Sequence, residues 1–191
     1  MPFITFEGVE GSGKSTQLEL LAERLSGRGL SVRKTREPGG TALGARLRAL
    51  LLDPAQRDLD PFAEFLLFEA DRRQHLREVV RPGLASGAWV LCDRFSDSTE
   101  AYQSAGRGID PKIVSDLDER VRGGVAPDMT LLFDVDPAEG LARTRRRDAR
   151  EGRFESETLA FHERVSLAFH AIARREPERV AIVDARDDVA S

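Results

Sequence analysis

The order of short apolar strands and helical segments predicts a parallel, three-layer α/β domain with a five-stranded sheet. Five β-prone runs, Phe3 to Glu7, Leu30 to Lys34, Trp89 to Cys92, Met129 to Val135 and Val180 to Val183, alternate with helical sequence. Right-handed crossovers join such a pattern into one parallel sheet. The last three runs are nearly continuous in apolar residues, as strands buried on both faces are. A length of 191 residues with 40% hydrophobic content suits a single core, and no repeat or linker divides the chain, so one domain spans residues 1 to 191.

Each element has a local reason. Phe3 to Glu7 is aromatic and β-branched and runs into a glycine-rich turn; after it, Ser15 to Arg28 places Leu18, Leu21, Ala22 and Leu25 at helical spacing. Leu30 to Lys34 reads as a strand, and Glu37-Pro38-Gly39-Gly40 forbids its continuation. Leu43 to Leu52 and Phe62 to Leu84 read as helices. The second is long, apolar and bounded by Pro61 and Pro82-Gly83, with surface enough for a partner subunit. Pro111 to Val121 and Thr158 to Arg174 complete the helical set. Arg143 to Arg153 holds six arginines, a density typical of a solvated face.

Composition excludes several classes. A net charge of −4 provides no global basic field for a nucleic acid polymer or an anionic membrane surface. The opening Met1-Pro2-Phe3-Ile4 carries no targeting pattern, and a cytoplasmic location is expected. Cys92 is the only cysteine, and His75, His162 and His170 show no metal-ligand spacing with it.

Gly8-Val9-Glu10-Gly11-Ser12-Gly13-Lys14-Ser15 satisfies G-x-x-x-x-G-K-[ST] between a strand and a helix. Its glycines let backbone N–H groups converge on phosphate oxygens at the positive end of a helix. Lys14 is placed to reach the β and γ oxygens of ATP, and Ser15 to ligate Mg²⁺. Only Lys14, Lys34 and Lys112 are lysines among 29 basic residues, so lysine at this position stands out in a chain that otherwise uses arginine. The loop predicts a P-loop nucleoside triphosphate hydrolase-like fold, and by itself leaves kinases, GTPases, ATPases and motors open.

Four further segments narrow the choice: Phe6-Glu7-Gly8-Val9-Glu10-Gly11, Thr35-Arg36-Glu37-Pro38-Gly39-Gly40, Asp93-Arg94-Phe95-Ser96-Asp97-Ser98 and Ala101-Tyr102-Gln103. Through them the chain resembles the thymidylate kinase family, and the last two form its D-R-[YF]-x-x-S-x-x-A-Y-Q signature without a gap. The resemblance implies transfer of the γ-phosphoryl group of ATP to dTMP, with Mg²⁺ as cofactor, giving dTDP and ADP in a homodimer. It places Phe68 on the thymine, Arg72 on the base edge with Gln103 and Ser98 or Thr99, and Arg36, Arg48 and Arg94 around the dTMP phosphate. Tyr102 would exclude ribose, and Glu37-Pro38 would be a cis peptide that shapes the acceptor site. Periodicity alone does not separate Phe68 from Phe62 and Phe65. Read from its place after the third strand, Asp93 can hold Mg²⁺ waters beside Ser15, and Arg94 can bind a second phosphate bidentately.

Glu10 is an acid inside a phosphate loop and requires compensation; in the family such a residue contacts the acceptor's sugar hydroxyl. No cation besides Lys14 stands in the loop, so the resemblance to bacterial-type members assigns the transition-state charge to a lid at about residues 143 to 154. Arg153 closes it, with Arg147 or Arg150 as alternatives. The expected catalytic set is thus Lys14, Arg94, Arg153, Glu10 and Asp93. A deoxynucleoside kinase of the same fold stays open as the alternative acceptor class, whereas a GTP-hydrolysing switch would need an N/T-K-x-D segment that this chain lacks. Family members continue into a further helix after Val180 to Val183; this sequence stops at Ser191.

Overall fold

The computed structural model describes residues 2–56, 58–147 and 152–186, with Arg147 through its backbone alone. Its strands are β1 (Phe3–Glu7), β2 (Val32–Arg36), β3 (Trp89–Asp93), β4 (Met129–Asp134) and β5 (Val180–Asp184). All pair in parallel in the order β2-β3-β1-β4-β5. β1 is thus central, and its carboxyl end lies at the point where successive crossovers depart in opposite directions, the place where open α/β sheets bind ligands.

Every residue of β1 is buried, so the strand needs apolar or paired side chains on both faces. Ile4 and Phe6, with Leu91 and Phe133, pack on Leu18, Ala22 and Leu25 of α1 (Lys14–Ser26). Phe3, Val90 and Cys92 pack on the other face against Leu76, Val80 and Phe95. On that same face Leu132 and Val180 meet Val165, Phe169 and Ile172 of α8 (Leu159–Arg175). The three layers follow. Truncating a fully buried ring such as Phe6 to Ala would destabilise by about 3–5 kcal/mol.

The remaining helices are α2 (Ala42–Leu51), α3 (Pro61–His75), α4 (Arg81–Ala85), α5 (Ser96–Thr99), α6 (Pro111–Arg122) and α7 (Pro137–Arg147). Thr41 caps α2, Asp60 caps α3 and Asp110 caps α6, each accepting from backbone N–H groups of the first turn.

Three expectations change. The segment Phe62 to Leu84 is not one regular helix: α3 and α4 are joined by a π turn, Leu76–Val80, and a second π segment, Glu100–Gly106, extends α5. Burial of β5 on both faces fails because it is an edge strand; Ile182 is 53% exposed. An apolar run tells that residues prefer a sheet, not how many neighbours the strand has. Finally, Arg143, Arg145, Arg146 and Arg147 belong to α7, a regular helix. Asp148 to Glu151 lie outside the described residues.

Candidate active site

The phosphate loop leaves β1 at Gly8 and enters α1 at Lys14, with Gly13 as an N-cap that supplies no side-chain acceptor. The first-turn N–H groups of α1 therefore have no side-chain cap, which suits an anion. Gly11 takes a positive φ of 70°, and a Cβ there would stand 2.0 Å from the Gly140 carbonyl oxygen. A Cβ on Gly140 would meet the Glu10 carbonyl oxygen at 2.3 Å. α7 thus abuts the loop directly, a contact that depends on glycine on both sides and that no motif announced.

Lys14 is 7% exposed, and its Nζ donates to Gly8 O at 3.0 Å, Val9 O at 2.7 Å and Ser12 Oγ at 3.1 Å. Burial and the nearby Arg94 charge bring its ammonium down to about 8. Ser15 Oγ donates to Asp93 Oδ2 at 2.7 Å, so a hydroxyl and a carboxylate from α1 and β3 stand side by side. They are the oxygen donors that Mg²⁺ accepts beside phosphate oxygens.

Arg94 follows β3 in a left-handed conformation, φ 69°, which for a residue with a Cβ stores about 1–3 kcal/mol. The surroundings impose it: its N–H donates to Phe6 O at 3.0 Å, and the next N–H, on Phe95, donates to Glu7 Oε1 at 2.7 Å. Glu7 also accepts the Ser98 hydroxyl at 2.6 Å; burial, with Asp97 nearby, pushes its carboxyl up to about 7. The Arg94 side chain donates to Gly8 O at 3.0 Å, Ser98 Oγ at 3.1 Å and Glu10 Oε1 at 3.2 Å, and its guanidinium lies 5.0 Å from the Tyr102 ring centroid. Burial opposes the Arg94 charge, and Tyr102, Glu10, Glu7 and Asp93 outweigh it.

Glu10 answers the compensation problem. Burial drives its carboxyl up, but His162, Arg94, Lys14 and Tyr102 bring it down to about 2. Tyr102 donates its hydroxyl to Glu10 Oε1 at 2.7 Å, and His162 Nδ1 lies 3.2 Å from Oε2.

These groups border a cleft of about 210 Å³. Its lining includes Glu10, Gly11, Ser12, Gly13, Lys14 and Ser15 from the loop region, Asp93 from the expected metal pair, and Glu37, Pro38, Arg48, Phe68, Arg72, Arg94, Ser98, Thr99, Tyr102 and Gln103 from the anticipated acceptor set. Glu37-Pro38 is cis. Phe68 and Arg72 lie four residues apart on α3 and so share a face. Arg72 Nε donates to Glu37 at 2.9 Å, Nη1 to Glu69 at 2.6 Å and Asp118 at 2.8 Å, and Nη2 to Thr99 Oγ1 at 2.8 Å. One of its five N–H groups is left for a ligand. Arg48 Nη1 donates to the Pro38 carbonyl at 2.9 Å; burial and the neighbouring Arg36 charge lower its pKa from the ordinary arginine value.

Several expected residues sit elsewhere. Gly8 and Val9, at the start of the loop, do not line the cleft, and their carbonyls receive Lys14. Arg36 is exposed and flanks Gly39 with Arg48 rather than lining the cleft. The Ser98 and Thr99 hydroxyls are engaged by Glu7 and Arg72. Arg153 is 6% exposed, donates to Gln56 O at 2.9 Å and pairs with Glu64, away from the lining. Arg150 and the Arg147 side chain lie outside the described residues. Leu52 and Thr144 also line the cleft, and no motif marked them; Phe154 and Glu155, which follow Arg153 at the closing end of the expected lid, line it too. Phe154 stands between two anticipated ligand contacts, its ring centroid 6.2 Å from Phe68 and 5.7 Å from Tyr102.

The whole chain compares closely with known proteins. A thymidylate kinase from Magnetococcus marinus is 51% identical over 187 residues, spanning 98% of this chain and 89% of its own. One from Gloeobacter violaceus is 55% identical over 187 residues, spanning 96% and 86%. The crystal structure of thymidylate kinase from Ehrlichia chaffeensis superposes with a TM-score of 0.79 at 40% identity, covering 95% of this chain and 91% of that one. Since the Thymidylate kinase family model also matches residues 6–191, from the end of β1 through the cleft to the last residue, this chain belongs to the thymidylate kinase family.

Proposed function

We propose that the chain transfers the γ-phosphoryl group of ATP to dTMP, yielding dTDP and ADP. The observation that carries this is the position of Arg94, which reaches both the phosphate loop, through Gly8 O and Glu10, and the cleft that Phe68, Arg72 and Gln103 border. A guanidinium between two phosphate-binding regions screens the repulsion of the donor and acceptor anions that must meet.

In this reading the N–H groups of the loop and Lys14 hold the β and γ phosphates, and Phe68 stacks on the base while Arg72 and Gln103 hold its edge. Arg48, Arg94 and, by side-chain reorientation, Arg36 hold the acceptor phosphate. Glu10, already ionised, meets the sugar hydroxyl and keeps Tyr102 against the sugar. Ser15 and Asp93 would hold Mg²⁺, which would supply charge neutralisation at the transferring group. Transfer is direct and in line, because positioning and charge neutralisation supply most of the catalysis in phosphoryl transfer. Arg153 or another arginine of the 143 to 154 segment supplies transition-state charge on closure. The enzyme works in the cytoplasm as a homodimer, joined through α3, where Phe62 is 42% and Leu66 46% exposed.

ADP release measured with dTMP, dUMP, thymidine and CMP tests the proposal. Turnover is expected with dTMP, weaker with dUMP and absent with thymidine and CMP. Preference for thymidine over dTMP would instead make the chain a nucleoside kinase.

A further inference from the structure

Glu64 of α3 is fully buried and does not line the cleft. Its Oε1 accepts from Gln103 Nε2 at 3.0 Å and from Arg107 Nε at 3.2 Å. Its Oε2 accepts from Arg107 Nη2 at 3.1 Å and from Arg153 Nη1. Arginine can only donate, and Arg107 reaches both carboxylate oxygens while Arg153 reaches one, so neighbours other than Gln103 already hold both oxygens as acceptors. Glu64 is therefore an acceptor on both sides.

This constrains Gln103, which is 2% exposed yet borders the cleft. The two ends of an amide are alike in shape and opposite in chemistry. Turning the amide over would set Gln103 Oε1 against a carboxylate oxygen in a buried site, two acceptors facing each other with no proton between them. The amide nitrogen thus faces Glu64, and the carbonyl is the end left for a ligand.

We propose that Glu64 is a positioning residue for base selection: it holds the Gln103 carbonyl toward the cleft, where it accepts from a pyrimidine N3–H and repels a pyrimidine whose N3 is a bare acceptor. The inference rests on the thymidylate reading of the cleft. Thymine carries N3–H between two carbonyls, whereas cytosine presents a lone pair at that position. Glu64 touches no substrate and acts through Gln103. Rejection comes from a mispaired buried acceptor, which discriminates more strongly than a lost apolar contact.

The test compares dTMP with 5-methyl-2′-deoxyisocytidine 5′-monophosphate, which keeps the methyl group and 4-oxo of thymine but has no proton on N3. In Glu64→Gln, a neutral amide at position 64 tolerates either orientation of Gln103, and the kcat/KM preference for dTMP should fall by about tenfold or more. Arg107→Met withdraws a donor from the same carboxylate but leaves the acceptor in place, so it should lower stability and keep the preference. An unchanged preference in Glu64→Gln overturns the proposal; so does an equal loss in Arg107→Met, which would assign the effect to loosened packing. Neutron diffraction from the unsubstituted protein with dTMP answers the same question if Glu64→Gln does not fold. Amide deuterons of Gln103 directed at Glu64 support the proposal, and deuterons directed at N3 overturn it. Absence of any turnover of dTMP by the unsubstituted protein is a separate result, which removes the function reading and this inference with it.

Discussion

Arg94 Nη2 donates to Glu10 Oε1 at 3.2 Å, joining the end of β3 to the middle of the phosphate loop. The same carboxylate oxygen accepts the Tyr102 hydroxyl at 2.7 Å, and Arg94 itself lies over the Tyr102 ring. An acid in this position would repel a triphosphate if it stood alone. Tied to Arg94, it becomes part of a cluster with both donor and acceptor capacity at the boundary between the loop and the cleft.

Lys14 should set the alkaline limit of the free enzyme. Burial and the Arg94 charge lower its ammonium to about 8, so above that pH the empty loop loses the charge that meets ATP. kcat/KM for ATP should fall above about pH 8, while kcat at saturating ATP should persist to higher pH because bound phosphates favour the ammonium. Lys14→Ala should lower turnover by roughly 10²–10³-fold with the fold retained, the range for removing one charge-stabilising donor. Circular dichroism and paired pH profiles check both.

Tyr102 should act through its ring and its hydroxyl separately. The ring is wedged edge-on among Phe154, Phe161 and Phe169, which fixes its position at the border of the cleft. Tyr102→Phe should keep discrimination against the ribonucleotide and lose some turnover with the Glu10 bond. Tyr102→Ala should admit ribose. Competition between dTMP and ribothymidine monophosphate measures it, and full exclusion by Tyr102→Ala would remove the steric role.

Some of this was legible in the sequence and some was not, for physical reasons. β1, the phosphate loop and Asp93-Arg94 are local patterns whose spacing reports their geometry, and Lys14 and Ser15 fall where the motif sets them. The π turn at Leu76–Val80 shifts backbone hydrogen bonds and leaves no side-chain pattern to read. α7 was hidden because its sequence has few apolar residues, with Leu141 buried amid arginines. The Arg153–Glu64 pair joins residues 89 apart, and no periodicity reaches across that distance.

Arg153 should separate a structural role from a catalytic one. Removing it leaves Glu64 with Arg107 and Gln103 alone, and loss of one partner of a buried pair destabilises by about 3 kcal/mol at the low end. For a chain of this size that lowers Tm by roughly 6–12 °C. If Arg153 also supplies transition-state charge, turnover below Tm should drop by roughly 10³-fold. Alanine variants at Arg143, Arg145, Arg146, Arg147, Arg150 and Arg153 locate that role; a loss of only a few-fold in all of them would end the lid account.

Stability should fall as pH rises through the neutral range. Burial raises the Glu7 and Glu69 carboxyls from 4.5 to about 7, and Asp71 from 3.8 to about 6. Between these limits the unfolded chain has released the protons and the folded chain still holds them, so raising the pH favours unfolding. Glu10 acts oppositely: its carboxyl is lowered to about 2, and its contribution is lost as pH falls from 4.5 toward 2. Tm should peak at about pH 5, between the two opposing limbs. Glu69→Gln should flatten the descent toward pH 7, and an identical slope would reject its share.

The central claim is that the loop and the cleft serve one transfer between two nucleotides. ATP labelled in the γ-phosphoryl group, incubated with the protein, Mg²⁺ and dTMP, tests this most directly. The label should appear in the β position of dTDP, with little in inorganic phosphate, and thymidine should receive none. Label recovered chiefly as inorganic phosphate whether or not dTMP is present, or transferred to thymidine, would contradict the account.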